Sequence, residues 1–153
     1  WGPFTKSTSG VKFYVVFMDD FSRFTWLYPL VYKSEVFSKF LEFKAYVKRK
    51  FSTSLKVFRT DGDTEYFSNK MLHYLYSYGI VHQHSSPYTY PQNGIAERKH
   101  KHIIETFVAL LHHSSFPLHF WFDVVATSTF LINRMSFAML ANKPYLRSCF
   151  ALS

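Results

Sequence analysis

Two acidic residues draw attention by position. Asp61 directly follows the run LKVFRT (Leu55 to Thr60), which reads as a short strand, so its carboxylate is expected at the strand's C-terminal end, where open α/β sheets bind ligands. Glu97 falls in the first turn of a helix predicted from about Ile95 to His112. Between positions 61 and 97 lie 35 residues, room for a helix, a strand and a loop punctuated by Pro and Gly. Carboxylate oxygens are the ligands that hard divalent cations prefer, so two converging on one point would suit metal-assisted chemistry. Each also has a plainer account. Asp61-Gly62 is a common turn, and an acidic side chain in a first helical turn is favoured by the helix dipole.

The elements that must position them follow from the hydrophobic pattern. Val11 to Met18 (VKFYVVFM) is β-branched and aromatic, and Phe24, Trp26, Tyr28 and Leu30 alternate in a second run. Asp19 to Arg23 separates the two as a turn, which predicts a hairpin. Ser34 is a candidate N-cap for a helix carrying Val36, Phe37, Phe40, Phe43 and Val47 on one face and Lys39, Glu42, Lys48 and Arg49 on the other. Beyond the strand at Leu55 to Thr60, Ser68 caps a helix with Met71, Leu72 and Leu75 inward and Gly79 as its C′ residue. Ile80 to His84 is a last strand, Ser85 to Gly94 (SSPYTYPQNG) reads as loop, and the Ile95 to His112 helix is followed by another from Pro117 to about Arg134. Strands alternating with helices predict an α/β fold with parallel pairing in part of the sheet.

Composition narrows the partners. The chain has 153 residues, 48% of them hydrophobic, which suits one domain with a core. Eighteen Lys and Arg against ten Asp and Glu give +8, the electrostatic footprint of a protein that meets a polyanion, nucleic acid first among them. No apolar stretch approaches the roughly 18 residues of a membrane span, and no secretory leader is read at the start. Cys149 is the only cysteine, which fits a reducing compartment and leaves the eight histidines without thiolate partners for a structural zinc site. The aromatic residues, 21% of the chain, occur mostly at core spacing, as at Phe37, Phe40 and Trp121, so packing is a better account of them than base stacking.

Five strings in order carry a resemblance: Asp19 to Leu30 (DDFSRFTWLYPL), Arg59-Thr60-Asp61, Gly79 to His82 (GIVH), Pro91 to His100 (PQNGIAERKH) and Leu131 to Arg134 (LINR). Together they resemble the integrase catalytic core of copia-type LTR retrotransposons, over residues 1–135, with 136–153 as a divergent tail. The resemblance implies a ribonuclease-H-like mixed sheet flanked by helices, and an Asp, Asp, Glu triad whose last two members match Asp61 and Glu97. Two Mg²⁺ ions, a role Mn²⁺ can also fill, would be held there for in-line attack on a phosphodiester during DNA strand transfer. Asn93, Arg98, Lys99 and Lys101 match or neighbour positions expected to meet DNA, with Lys101 one helical turn beyond Glu97. The partners implied are element ends and target DNA, with homodimerisation common among such cores, and the compartment implied is the nucleus.

The triad's first Asp matches no residue here. It is expected upstream of Trp1-Gly2-Pro3, on a first, central strand that is largely missing, so these 153 residues alone are expected to be inactive and poorly soluble. Asp19 and Asp20 match the end of the second strand, where turn hydrogen bonding and pairing with Arg23 are their expected work. Departures from the family pattern include Asp61-Gly62-Asp63-Thr64-Glu65, Thr89-Tyr90-Pro91 and the segment after Arg134. The competing reading is a non-enzymatic remnant that binds nucleic acid or dimerises; another ribonuclease-H-like nuclease or resolvase fits the 35-residue spacing less well.

Overall fold

The computed structural model describes residues 2, 5–60, 68–84 and 90–135, with backbone alone at 84 and 90–93. The Asp61-Gly62 turn, the first half of the predicted 85–94 loop and the 136–153 tail lie outside these. The chain divides into two compact units, Trp1–Tyr32 with Arg98–Ser153, and Lys33–Glu97.

In the first unit the predicted hairpin forms. Strands β1 (Phe13–Met18) and β2 (Thr25–Leu30) pair antiparallel, from Phe13 opposite Leu30 to Met18 opposite Thr25. Asp19 makes the turn between them, its Oδ2 accepting from the Ser22 backbone N–H at 2.7 Å and the Ser22 hydroxyl at 2.6 Å, while Arg23 pairs with Asp20 at 2.6 Å. Both acidic residues therefore do the turn work expected of them. The core gathers Val11, Tyr14, Ile103, Phe107, Trp121, Val124, Val125 and Ile132. Trp121 is fully buried and still satisfied, because its indole N–H donates to the Thr5 carbonyl at 2.8 Å. A single 3-10 turn, Leu118–Phe120, leads from Pro117 into the last helix among the described residues, which spans Trp121–Ile132.

The second unit opens with a 3-10 turn at Lys33–Glu35 and helix α1 (Val36–Phe51). Ser34 is therefore inside that turn rather than capping the helix; Glu35 holds the N-cap position without a side-chain hydrogen bond. Val36, Phe40 and Phe43 are buried as their spacing predicts. Strand β3 (Val57–Thr60), helix α2 (Asn69–Ser77) and strand β4 (Val81–His84) follow, with β3 and β4 paired in parallel. Ser68 caps α2 by accepting from the Met71 N–H at 3.3 Å. At the other end Gly79 takes φ +64°, its N–H reaching Tyr76 O while that of Ile80 reaches Leu75 O, the paired bonds of a Schellman motif. Of the three α2 residues expected inward, Met71 and Leu75 are buried and Leu72 is 37% exposed.

Helix α3 (Tyr90–Ser114) starts in the second unit and continues into the first, and the Trp121–Ile132 helix is α4. It begins five residues earlier than the predicted Ile95. Pro91 falls in its first turn, where a missing N–H forfeits no intrahelical bond, and Gly94 costs about 1 kcal/mol relative to Ala, too little to stop a helix this long. The order strand, strand, helix, strand, helix, strand, helix, helix is the one expected. Among the described residues no helix is long and apolar enough to cross a membrane.

Candidate metal and nucleic-acid site

The early start of α3 changes the meaning of Glu97. It is the eighth residue of the helix rather than one of the first turn, and the helix dipole acts on charges within about the first turn. The electrostatic account that the sequence offered for this carboxylate therefore no longer applies. Glu97 is exposed, and among the described residues no ion pair or hydrogen bond engages it. Asp61 lies outside the described residues; the strand it follows, β3, ends at Thr60, whose hydroxyl bonds His82 Nε2 at 3.1 Å across the parallel pair. Among the described residues no group of three or more His, Cys, Asp or Glu is arranged around a common point. Exposed, unengaged carboxylate oxygen is nevertheless the donor type that Mg²⁺ takes, so the chemistry of Glu97 fits such an ion.

The cations expected to meet DNA do not form one uniform face. Arg98 and Lys101 are exposed, and Lys101 reaches forward to Glu105 at 3.9 Å, a solvated pair worth little. Lys99 is buried, only 8% exposed. It sits four and eight residues before Ile103 and Phe107, so it continues the inward stripe of α3. Burial, with the neighbouring Arg23 charge as the lesser cause, lowers its pKa to about 8. Asn93 falls inside the α3 backbone, and its side chain lies outside the described residues.

One residue of the PQNGIAERKH string has a role that its motif did not reveal. His100 Nε2 shares a 2.8 Å hydrogen bond with the Tyr14 hydroxyl, joining α3 to β1 beside Trp121. Burial holds His100 down to about 4 and pushes the Tyr14 hydroxyl above its ordinary value, so this is a bond between neutral groups. No local sequence signal pairs positions 14 and 100.

No protein-family profile matches the chain. By sequence, it is 37% identical over 153 residues to the Retrovirus-related Pol polyprotein from transposon RE1 of Arabidopsis thaliana, 100% of this chain and 10% of that protein. Against the RE2 polyprotein of the same plant it is 38% identical over 140 residues (92% of this chain, 10% of that one), and against the TNT 1-94 polyprotein of Nicotiana tabacum 39% over 136 residues (89% and 10%). It thus spans about a tenth of the length of the curated relatives it matches. By structure, it resembles a chain of the simian T-cell lymphotropic virus intasome in complex with PP2A regulatory subunit B56 gamma. The TM-score is 0.68 at 18% identity, with 89% of this chain and 47% of that chain covered. It also resembles the HTLV-2 integrase catalytic core domain in complex with magnesium (trimeric form), with a TM-score of 0.61 at 19% identity and coverage of 86% and 80%.

A mixed α/β chain with these neighbours has the ribonuclease-H-like fold of a retroviral integrase catalytic core. In sequence the chain is similar to a segment of retrotransposon Pol polyproteins, and the resemblance drawn from the five sequence strings is borne out.

Proposed function

We propose that this chain is the catalytic-core segment of a copia-type integrase, serving insertion of element DNA into a chromosome. The observation that carries the reading is Glu97, an exposed carboxylate past the reach of the helix dipole, separated by 35 residues from an Asp that follows a strand, on a fold shared with integrase cores. Asp61 and Glu97 would hold Mg²⁺, with Mn²⁺ as substitute, and the bound ions would supply charge neutralisation at the attacked phosphodiester. The chain's own residues bind and orient: Arg98 and Lys101 take backbone phosphate, and Asn93 meets the element end. The triad's first Asp matches no residue of this sequence, so the 153 residues alone do not join DNA ends. The partners are element-end and target DNA and a second copy of the chain; the HTLV-2 cores, solved in dimeric and trimeric forms, support self-association. The compartment is the nucleus, where chromosomal DNA is.

Metal binding tests this independently of turnover. Titrated Mn²⁺ should broaden the amide resonances around positions 61 and 97, and Asp61→Asn with Glu97→Gln should abolish the effect. Broadening centred elsewhere, or unchanged in the double variant, would sink the assignment. Mg²⁺-dependent strand transfer by the 153-residue chain would overturn the claim of inactivity. Were the chain a non-enzymatic remnant, its DNA affinity would fall with salt and ignore both Mg²⁺ and Glu97→Gln.

A further inference from the structure

The positive charge of this chain is concentrated away from α3. From Lys44 to Arg59 there are six cations, Lys44, Lys48, Arg49, Lys50, Lys56 and Arg59, and no carboxylate, against a net charge of +8 for the whole chain. The fold displays much of this run. Helix α1 turns Val36, Phe40 and Phe43 inward, which leaves Lys48, Arg49 and Lys50 exposed in its last turn. Ser52, in the left-handed conformation at φ +50°, ends the helix, and the chain returns through exposed Lys56 into β3, where Arg59 is exposed too.

What holds these groups matters as much as where they are. Arg59 donates to Gln83 Oε1 at 3.1 and 3.3 Å, a neutral acceptor on β4. The Lys44 ammonium lies 3.5 Å from the Tyr78 ring centroid and donates to the Tyr74 hydroxyl at 3.0 Å, again neutral partners. Both charges are thus positioned without being cancelled. Among the described residues no ion pair engages Lys48, Arg49 or Lys56, whereas Lys39 is taken by Glu42 at 2.9 Å. A cationic helix end is favoured by the dipole alone, but that accounts for α1's last turn and not for Lys56 or Arg59 on the next strand. The aromatics here are engaged in packing, Tyr46 edge-on to Phe51 at 6.2 Å, so the surface offers charge rather than stacking platforms.

We infer that the end of α1 together with β3 forms a second DNA-contacting surface, one that grips the phosphate backbone of duplex DNA without reading its sequence. It rests on the integrase reading only for the choice of DNA among polyanions. The surface lies wholly in the unit Lys33–Glu97, and its cations are distinct from Arg98 and Lys101.

The test is a salt titration of binding to a labelled 30-base-pair duplex, by fluorescence anisotropy in EDTA, so that the state of the metal site does not enter. Two variants of equal net charge are compared, Lys48→Gln with Arg49→Gln, and Lys6→Gln with Lys12→Gln. The first should lower the slope of log affinity against log salt by about 2, at ~0.9 per lost phosphate contact, and the second by less than about 0.5. Lys48→Arg with Arg49→Lys keeps the charge at the end of α1 and should keep both the wild-type slope and the wild-type melting temperature, whereas Lys48→Gln with Arg49→Gln gives up the dipole's favourable effect and is compared at a temperature where it is fully folded. Equal losses for the two charge-matched variants would reduce the effect to net charge and overturn the inference. So would a loss as large on polyglutamate as on DNA, which would make this a docking face for an acidic protein. Failure of metal binding at Asp61 and Glu97 would leave this result standing, because no metal takes part in it.

Discussion

The side-chain amide of Asn133 closes on both backbone groups of Thr25, Oδ1 accepting from Thr25 N–H at 3.0 Å and Nδ2 donating to Thr25 O at 2.7 Å. A residue at the C-cap of α4 thereby satisfies β2 where β1 does not, and both residues are buried, at 5% and 2% exposed. Orphaning a buried donor and a buried acceptor costs about 1 to 3 kcal/mol each, less whatever relaxation recovers. Asn133→Ala should therefore destabilise the fold by about 2 to 4 kcal/mol in urea denaturation. Asn133→Asp should be at least as damaging, since it sets an acceptor against the Thr25 carbonyl. A loss below about 0.5 kcal/mol for both would show that the contact is dispensable.

Gly79 isolates backbone strain from packing. A Cβ built there meets nothing within 4 Å, so Gly79→Ala creates no clash, yet φ +64° remains. The expected cost is about 1 kcal/mol, the penalty of the left-handed conformation for an L-residue. Gly79→Asn should recover part of it, because Asn tolerates that region better. Equal stabilities for Gly, Asn and Ala would mean that the α2 terminus rearranges.

What could be read from the sequence was what neighbours in the chain decide. Ser68 and Gly79 bracket α2 because a cap and a left-handed terminus are local chemistry, and the β1–β2 hairpin followed from alternation across a turn. Asn93-Gly94 misled for the same reason: in isolation it is turn chemistry, and here it is carried into α3 by the helix that follows. Lys99 carries two signals that compete. Its charge suggested an exposed phosphate ligand, while its spacing from Ile103 and Phe107 already placed it on the buried stripe. The Asn133–Thr25 and Tyr14–His100 bonds join residues 108 and 86 apart, and no local pattern encodes such pairs. Of the candidate site, the residue spacing was readable; the loss of the dipole explanation for Glu97 needed the true start of α3.

The Tyr14–His100 bond should leave a mark on acid stability. Burial holds His100 at about 4 in the folded chain against an ordinary 6.5, so between those values the unfolded chain binds the extra proton. Stability is lost as pH falls through that window and levels off below it. His100→Gln keeps a hydrogen-bonding group for Tyr14 but cannot titrate. The gap between wild type and variant should therefore narrow from pH 7 to pH 4.5, as read from urea midpoints. A gap that is constant with pH would mean that His100 titrates alike in both states.

Lys99 separates the two roles open to a lysine in this helix. A phosphate ligand must present its ammonium to solvent, and the Lys99 residue is 8% exposed, with a pKa lowered to about 8 by burial and then by Arg23. The folded chain thus holds this proton less tightly than the unfolded chain does, and stability rises with pH between about 8 and 10.5. Lys99→Met keeps the apolar stem and removes the buried charge, so it should stabilise the fold at pH 7 by about 1 to 3 kcal/mol. That advantage should shrink by pH 10, where the wild-type amine is largely neutral when folded. The same variant should leave the salt slope of DNA binding unchanged, because a buried ammonium displaces no counterion. A destabilised Lys99→Met protein whose slope falls by about 0.9 would reverse the assignment and return Lys99 to the DNA-binding set.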